Sequence, residues 1–214
     1  MRLRELTLPE LQVLYDTELV EAFPPEERKP FAAMRTLYQA GVYHPVGAYE
    51  GETLAGYALL WDNPERTYVL IDYLGVPRAM RNRGLGGSIL REITASFARW
   101  DGILVETEAP EGGPQDGLRR RRMAFYRRNG FAFLEYDCVL FGVRYAVCLA
   151  SPNGKGTEKA ALAAHQEIYR EQFPPWAYER YVQIPRDPDH PMPPPEAWAE
   201  QGNLPGLGER SLKE

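Results

Sequence analysis

A cluster of glycines between an apolar strand and an apolar helix governs the local architecture of residues 68–90. Residues 68–76 are mostly apolar, residues 78–83 contain three arginines, and residues 84–87 contain three glycines. Such a loop exposes several backbone N–H groups at the positive end of a helix dipole, where anions bind. Glycine lets the main chain come close to a ligand because it has no Cβ. The segment therefore predicts a strand–loop–helix unit that binds a phosphate or pyrophosphate.

The spacing of the glycines excludes two familiar phosphate-binding loops. A dinucleotide fingerprint needs G-x-G-x-x-G, and here Gly84 and Gly86 are followed by Ile89 at the third glycine position. A P-loop needs a lysine and a serine or threonine after its last glycine, and no lysine follows these glycines. The segment instead contains Arg81, three residues before Gly84 and just after a strand. The pattern is therefore an arginine followed by G-x-G at the start of a helix.

The composition narrows the class of protein. The chain has 214 residues, 44% of them hydrophobic, and its 25 basic and 30 acidic residues give a formal net charge of −5. Because the total is acidic, we expect no nucleic-acid partner. No apolar run reaches the length of a membrane span, and the first residues lack a signal-peptide pattern. Cys138 and Cys148 form no CxxC pair, so we expect a cytoplasmic protein with reduced cysteines and no metal site.

The periodicity of apolar residues predicts alternating helices and strands. A capping box at Thr7 begins the first helix, which ends before the Phe23-Pro24-Pro25 segment. The other predicted elements are a helix at 31–40, a hairpin at 45–61, a strand at 68–76, a helix at 86–100, a strand at 103–108, a helix at 118–129, strands at 131–140 and 143–150, and a helix at 157–172. This order predicts an α/β (mixed α+β) fold, with a mixed sheet and helices on its faces.

A change of composition after residue 150 divides the chain. We expect one domain over residues 1–150, and a C-terminal helix with a proline-rich tail over residues 151–214, as an appendage to the same domain. Residues 184–214 hold seven of the nineteen prolines and little hydrophobic periodicity, which predicts an extended tail.

Two motifs, in order, make the chain resemble the GCN5-related N-acetyltransferase (GNAT) superfamily. Residues 74–90 contain L-G-V, then R-x-x-G-x-G, then L, and residues 125–131 read F-Y-R-R-N-G-F. The resemblance covers roughly residues 6–150. It implies a central mixed, mostly antiparallel β-sheet flanked by helices, to which this chain adds a C-terminal helical and proline-rich extension.

The resemblance also implies a cosubstrate and its binding positions. It implies that acetyl-CoA transfers its acetyl group directly to a primary amine of a small molecule or protein. In this family the loop amides hold the CoA pyrophosphate, and the edge of the preceding strand hydrogen-bonds the pantetheine arm. The positions implied for coenzyme binding are Leu74, Gly75, Val76, Arg81, Asn82, Arg83, Gly84, Leu85, Gly86, Gly87 and Ser88.

Aminolysis of a thioester needs a deprotonated amine, a stabilised oxyanion and a proton for the leaving thiolate. The resemblance places Tyr126 near the CoA sulfur, so Tyr126 is the candidate proton donor; the alternative is a core aromatic residue. For the oxyanion we expect a backbone N–H group within residues 74–76.

Strand carboxylates are the candidate bases. Glu106 is the first choice, because apolar residues 103–105 flank it and partial burial favours a more basic carboxylate. The alternative for Glu106 is a salt bridge to a nearby arginine. Asp72 is the second choice, because strand alternation predicts that it shares a face with Leu74 and Val76.

Six arginines within residues 119–128 leave several interpretations open. They can form a solvated helix face, or one or two of them can contact the CoA phosphates. A third interpretation, an RNA-associated protein, conflicts with the acidic net charge. Arg119 and Arg122 occupy positions where many relatives have asparagine and alanine, which puts the usual asparagine contact to the pantetheine arm in doubt.

The sequence leaves the identity of the acceptor amine open. Four glutamates near the predicted acceptor region either attract a cationic amine or serve as solubilising surface: Glu26, Glu27, Glu108 and Glu111. A catalytically idle acyl-CoA-binding module on the same fold is the alternative to an enzyme, and a homodimer is left open.

Overall fold

An eight-stranded sheet forms the centre of the protein in a computed structural model that describes residues 1–192, apart from the side chain of residue 26. The strands are β1 Arg2–Glu5, β2 Tyr43–Glu50, β3 Thr53–Asp62, β4 Tyr68–Gly75, β5 Gly102–Glu108, β6 Ala132–Leu140, β7 Val143–Ala150 and β8 Val182–Gln183. Their spatial order is β1-β2-β3-β4-β5-β7-β6-β8. Among the strands of residues 1–192 only β4 and β5 pair in parallel, so the predicted mixed, mostly antiparallel sheet is confirmed.

Helices cover the sheet. They are α1 Leu8–Leu14, α2 Val20–Ala22, α3 Phe31–Gln39, α4 Leu85–Ser96, α5 Asp116–Arg128, α6 Glu158–Gln172 and α7 Pro175–Tyr181. The first predicted helix is divided, because a π-helical segment, Tyr15–Leu19, joins α1 to α2. The periodicity of apolar residues did not predict β1, α7 or β8, each of which has seven residues or fewer. Within residues 1–192 no helix is both long and apolar enough to cross a membrane.

Two hydrophobic clusters pack on opposite faces of the sheet. One contains Leu37 of α3, Trp61 of β3 and Ile168 of α6, and the other contains Ile89 of α4 and Val105 of β5. The α6 helix, which lies beyond residue 150, therefore shares a core with the helices at the start of the chain. The division of the chain at residue 150 stays a prediction, and residues 193–214 of the predicted proline-rich tail lie outside the described residues.

The parallel strands β4 and β5 diverge after four paired positions. Their register runs from Tyr68 opposite Gly102 to Ile71 opposite Val105, and the pairing ends there. Beyond that point the two strands leave a gap in the middle of the sheet. This gap determines where a ligand can enter the molecule.

A β-bulge beside the gap corrects the prediction for Asp72. In the β3–β4 ladder Ile71 pairs with Leu60 and Tyr73 pairs with Leu59, so Asp72 is an extra residue. The bulge shifts the alternation by one position, so Tyr73 packs in the cluster of the N-terminal helices while Leu74 packs against the other cluster. The expectation that Asp72 shares a face with Leu74 and Val76 was therefore wrong. Asp72 instead contacts Tyr43 and Lys29, on the side of the N-terminal helices.

Candidate active site

A cleft of about 460 Å³ opens where β4 and β5 diverge. Its walls come from β3, β4, β5, α5, α6 and the segment that joins α2 to α3. We call the end of the cleft that adjoins the glycine loop the coenzyme end. We call the other end, which lies among carboxylates and aromatic rings near the N-terminal and C-terminal helices, the acceptor end.

The glycine loop forms a second, adjoining cavity of about 260 Å³. Gly84 is the N-cap of α4 and has φ +74°, a left-handed conformation that glycine adopts without strain. No side chain caps the start of α4, so its first N–H groups have no side-chain partner there. The cavity is lined by Val76, Met80, Arg81, Asn82, Gly84, Leu85, Gly86, Gly87, Arg121 and Phe125. The local geometry is therefore that of an anion site at a helix N-terminus.

The structure brings most of the predicted coenzyme positions to these two cavities. Those that line one or both are Leu74, Gly75, Val76, Arg81, Asn82, Gly84, Leu85, Gly86 and Gly87. Arg83 and Ser88 line neither cavity. Arg83 approaches Met80 and Glu50, and the Ser88 hydroxyl accepts a hydrogen bond from Arg91.

The backbone of β4 is unpaired on the side that faces the gap. Leu74 and Gly75 pair with β3 on one side, but β5 has already diverged on the other. A strand edge of this kind can hydrogen-bond an extended ligand as though it were another strand. The Arg81 guanidinium donates to the Val76 carbonyl oxygen at 3.1 Å and thereby ties the loop to the end of the strand.

Tyr126 lies on α5 and lines the cleft. Its side chain is buried against the rings of Phe125 and Phe131, with ring centroids 5.2 and 5.6 Å away. Burial, with a smaller contribution from Cys148, raises the pKa of the Tyr126 hydroxyl well above its usual range. The hydroxyl therefore keeps its proton at neutral pH and remains available as a donor. Tyr126 therefore combines the two expected positions: its ring packs in the core, and it also lines the cleft.

Asp72 forms a buried ion pair with a lysine that the sequence did not single out. The Lys29 Nζ lies 2.6 Å from Asp72 Oδ2, is fully buried, and stands over the Trp61 ring at 4.0 Å. Burial lowers the pKa of Lys29, and the Asp72 carboxylate opposes that shift. The Tyr43 hydroxyl donates to the same carboxylate oxygen. Asp72 lines the cleft, but its charge is paired with this buried cation.

Glu106 lines the cleft and is bound by residues of the C-terminal helix α6. A hydrogen bond of 2.6 Å joins Glu106 Oε1 to Nε2 of His165, and the Tyr169 hydroxyl lies 3.1 Å from each carboxylate oxygen. The other ring nitrogen of His165 is 3.1 Å from the Tyr136 hydroxyl. Within the described part of the chain, Glu106 forms no salt bridge with an arginine, in contrast to the alternative considered from the sequence. No motif marks His165 or Tyr169, because both read as ordinary inward positions of an amphipathic helix.

Cys138 completes a group of three potential metal ligands with Glu106 and His165, whose ligand atoms lie within 4.8 Å of one another. The hydrogen bond between His165 and Glu106 already accounts for their proximity. Burial, and secondarily the Glu106 charge, raises the pKa of the Cys138 thiol well above its usual range, so the sulfur is a neutral thiol here. The arrangement of Glu106 and His165 is therefore that of a hydrogen-bonded network.

A second pair of acidic residues lies at the acceptor end. The Glu27 carboxyl hydrogen-bonds the Glu108 carboxylate, and both line the cleft. Glu108 also accepts from Arg119 at 2.6 Å and lies 3.6 Å from Arg122. Burial, followed by the contact with Glu108, raises the pKa of Glu27 to about 8. Glu27 had appeared in the sequence only as one of several acidic residues near the acceptor region.

The arginine run divides into residues with different partners. Arg119 and Arg120 are paired with Asp116, and the Arg127 guanidinium stands over the Phe133 ring. Arg121, by contrast, lines both the cleft and the loop cavity. The six arginines therefore do not share one environment, and Arg121 is the member of the run that lines the cavity at the start of α4.

The comparisons with known proteins agree with this architecture. The profile of the Acetyltransferase (GNAT) family matches residues 8–131, more than half of the chain. No curated protein sequence matches the chain.

Several solved structures share the fold. A protein assigned to the GNAT acetyltransferases of Bacteroides thetaiotaomicron is 22% identical with a TM-score of 0.62, covering 78% of this chain and 95% of that one. A mutant of spermidine N-acetyltransferase from Vibrio cholerae is 13% identical with a TM-score of 0.53, covering 72% and 95%. A GNAT-like decarboxylase in complex with isobutyryl-CoA is 12% identical with a TM-score of 0.56, covering 71% and 100%. At these identities the similarity shows the fold alone.

Proposed function

The chain belongs to the GNAT acetyltransferase family, and we propose that it is a cytoplasmic N-acetyltransferase that moves an acetyl group from acetyl-CoA to a primary amine. The observation that carries the proposal is the continuity of the cleft, which extends from the loop cavity, along the unpaired edge of β4, to Tyr126 and the carboxylates. A coenzyme with an anionic end and an extended arm fits a site of that shape.

The residues of the coenzyme end suit the parts of acetyl-CoA. The N–H groups at the start of α4 and the guanidinium groups of Arg81 and Arg121 would hold the pyrophosphate. The free edge of β4 near Leu74 would hydrogen-bond the pantetheine arm. A backbone N–H group within residues 74–76 would then stabilise the oxyanion.

Tyr126 is the proposed proton donor to the CoA sulfur. Its raised pKa keeps the hydroxyl protonated until the leaving thiolate forms, and its ring is held by packing against Phe125 and Phe131. Of the two strand carboxylates predicted to act as base, Asp72 is paired with the Lys29 cation, whereas Glu106 lines the cleft and is hydrogen-bonded by His165 and Tyr169. Glu106 therefore remains the stronger of these two candidates.

The test is release of free CoA from acetyl-CoA in the presence of a panel of primary amines, measured for the unchanged protein and for Tyr126→Phe. We expect Tyr126→Phe to lower kcat about 100-fold, as loss of a general acid does, with little change in the Kd for acetyl-CoA. The same kcat in both proteins would contradict the role of Tyr126. Tight acetyl-CoA binding without turnover of any amine would favour the acyl-CoA-binding module.

A further inference from the structure

We propose that Glu27, held against Glu108, receives the ammonium group of the acceptor and accepts its proton. This inference rests on the proposed function and assigns the acceptor end of the same cleft. It names a residue outside the glycine loop, the tyrosine motif and the two strand carboxylates. The acceptor it implies is a primary amine that enters as a cation.

The position of Glu27 is fixed by the backbone that carries it. Glu27 ends a short 3₁₀ turn, Pro25–Glu27, that begins with the second of two consecutive prolines. The Tyr73 hydroxyl donates to the Glu27 carbonyl oxygen at 2.8 Å and accepts from the Lys29 backbone N–H at 2.7 Å. Tyr73 belongs to β4, so this pair of hydrogen bonds holds the turn against the strand that borders the gap.

The partners of the cleft carboxylates separate Glu27 from the others. Among the described residues that line the cleft, Asp72 is paired with Lys29, Glu106 is bound by hydrogen-bonding groups of α6, and Glu108 is paired with arginine. The Glu27 carboxyl is bonded to another carboxyl group instead. An arriving ammonium group would replace the proton between Glu27 and Glu108, so Glu27 would gain a cationic partner of the kind that Asp72 and Glu108 already have.

The charges around Glu27 support a proton-accepting role at ordinary pH. Burial and the Glu108 carboxylate raise the pKa of Glu27 to about 8, and the more distant charges of Arg119 and Arg122 oppose the shift. The Tyr73 and Tyr145 hydroxyls also face this group, and burial raises the pKa of both well above their usual range. They stay neutral, so Glu27 is the group that titrates. A base is most effective when its pKa is close to the working pH.

The proton balance of the reaction closes with these residues. The ammonium group displaces the shared proton to solvent and binds beside ionised Glu27. Glu27 then takes one proton from the ammonium nitrogen, which frees the lone pair that forms the C–N bond, and Glu27 keeps this proton, so the proton shared with Glu108 is restored. When the C–S bond breaks, Tyr126 protonates the thiolate, and the second nitrogen proton restores Tyr126. The products are the amide, free CoA and one net proton.

The test compares Glu27→Gln with the unchanged protein. Glutamine is isosteric and its amide can still donate to Glu108, so we expect the fold and the Kd for acetyl-CoA to be retained. We expect kcat/KM for amines such as benzylamine and hexylamine to fall about 100-fold or more. Glu52→Gln, on the exposed turn between β2 and β3, is the matched control and should leave kcat/KM unchanged. Equal kcat/KM in the Glu27→Gln and unchanged proteins would overturn the assignment.

The pH dependence adds a readout that a purely structural role would not change. In the unchanged protein kcat/KM should rise through an inflection near pH 8 that stays in place when amines of different pKa are compared. Glu108→Gln should move that inflection to lower pH, because it removes the neighbouring charge. An inflection that follows the pKa of the amine alone would contradict the proposal.

A third measurement separates the inference from the proposed function. If the unchanged protein acetylates no amine, the side-chain ¹³C resonance of Glu27, assigned by comparison with Glu27→Gln, is titrated with and without benzylammonium. A lower Glu27 pKa in its presence would support ammonium binding at this pair, and an unaltered titration would overturn it. Failure of the unchanged protein to bind acetyl-CoA would refute the proposed function alone.

Discussion

The coenzyme end and the acceptor end of the cleft are built in different ways. The coenzyme end comes almost entirely from one continuous segment, residues 74–87, with Arg121 and Phe125 of α5 beside it. The acceptor end draws Glu27, Asp72 and Tyr169 from parts of the chain that are far apart in sequence. The coenzyme end is a local structure formed mainly by one segment of the chain, whereas the acceptor end exists only when the whole domain has folded.

This difference has an energetic counterpart. The coenzyme end presents backbone N–H groups and exposed arginines, whose replacement disturbs few buried contacts. The acceptor end contains the buried Lys29–Asp72 pair and the hydrogen bonds of Glu106 to α6. We therefore expect substitutions at the acceptor end to change the free energy of unfolding, and substitutions at the coenzyme end to change ligand affinity.

The largest expected effect is that of Lys29→Met. The substitution leaves the Asp72 carboxylate without a cation in a buried site, which typically destabilises a protein by about 3–5 kcal/mol. Chemical denaturation should show this loss as a lower midpoint. A double substitution, Lys29→Met with Asp72→Asn, should recover part of it, because no buried charge remains unpaired. If Lys29→Met alone is as stable as the unchanged protein, the expected difference between the two ends in their contribution to stability is contradicted.

A smaller effect is expected from Arg121→Ala at the coenzyme end. Loss of one charged contact to phosphate should raise the Kd for acetyl-CoA about 10-fold, or about 1.4 kcal/mol, with the denaturation midpoint unchanged. Arg128→Ala, an exposed arginine of the same helix, is the matched control and should bind acetyl-CoA normally. Titration calorimetry measures both. Equal affinity in the two variants would mean that the loop alone holds the phosphates.

The smallest expected effect is on the pH dependence of stability. The pKa of Glu27 is about 8 in the folded protein and near its ordinary value when unfolded, so the folded state binds more protons between about pH 4.5 and 8. Stability contributed by this protonated group is therefore lost as the pH rises through that range. Relative to Glu27→Gln, the unchanged protein should lose on the order of 1 kcal/mol, or about 2–4 °C in Tm, between pH 7.5 and 9. Parallel Tm curves would show that Glu27 titrates normally.

The sequence predicted the backbone geometry of the coenzyme end because the information for it is local, and the binding roles of its residues stay predictions. Gly84 requires a left-handed backbone, and Arg81 and the flanking apolar runs stand at fixed distances from it, so the motif is visible without the fold. The order of most helices and strands along the chain followed from hydrophobic periodicity. Tyr126 was found through its own motif on the helix that faces the loop.

The acceptor end was predicted less well because it depends on tertiary structure. Strand alternation misplaced Asp72, since a single extra residue in β4 reverses the face and leaves no mark in the sequence. Lys29 reads as a solvent-exposed lysine, yet it is fully buried against Trp61. His165 sits on a helix beyond the family motifs, and only the packing of α6 against the sheet brings it to Glu106.

Amine-dependent release of CoA from acetyl-CoA by the unchanged protein tests the central claim most directly. The reaction should be followed with a thiol reagent across a panel of primary amines, with an acetyl-CoA blank. The account predicts that at least one amine accelerates CoA release far above the blank, with formation of the corresponding acetamide. CoA release that no amine accelerates, in a protein that binds acetyl-CoA, would contradict it.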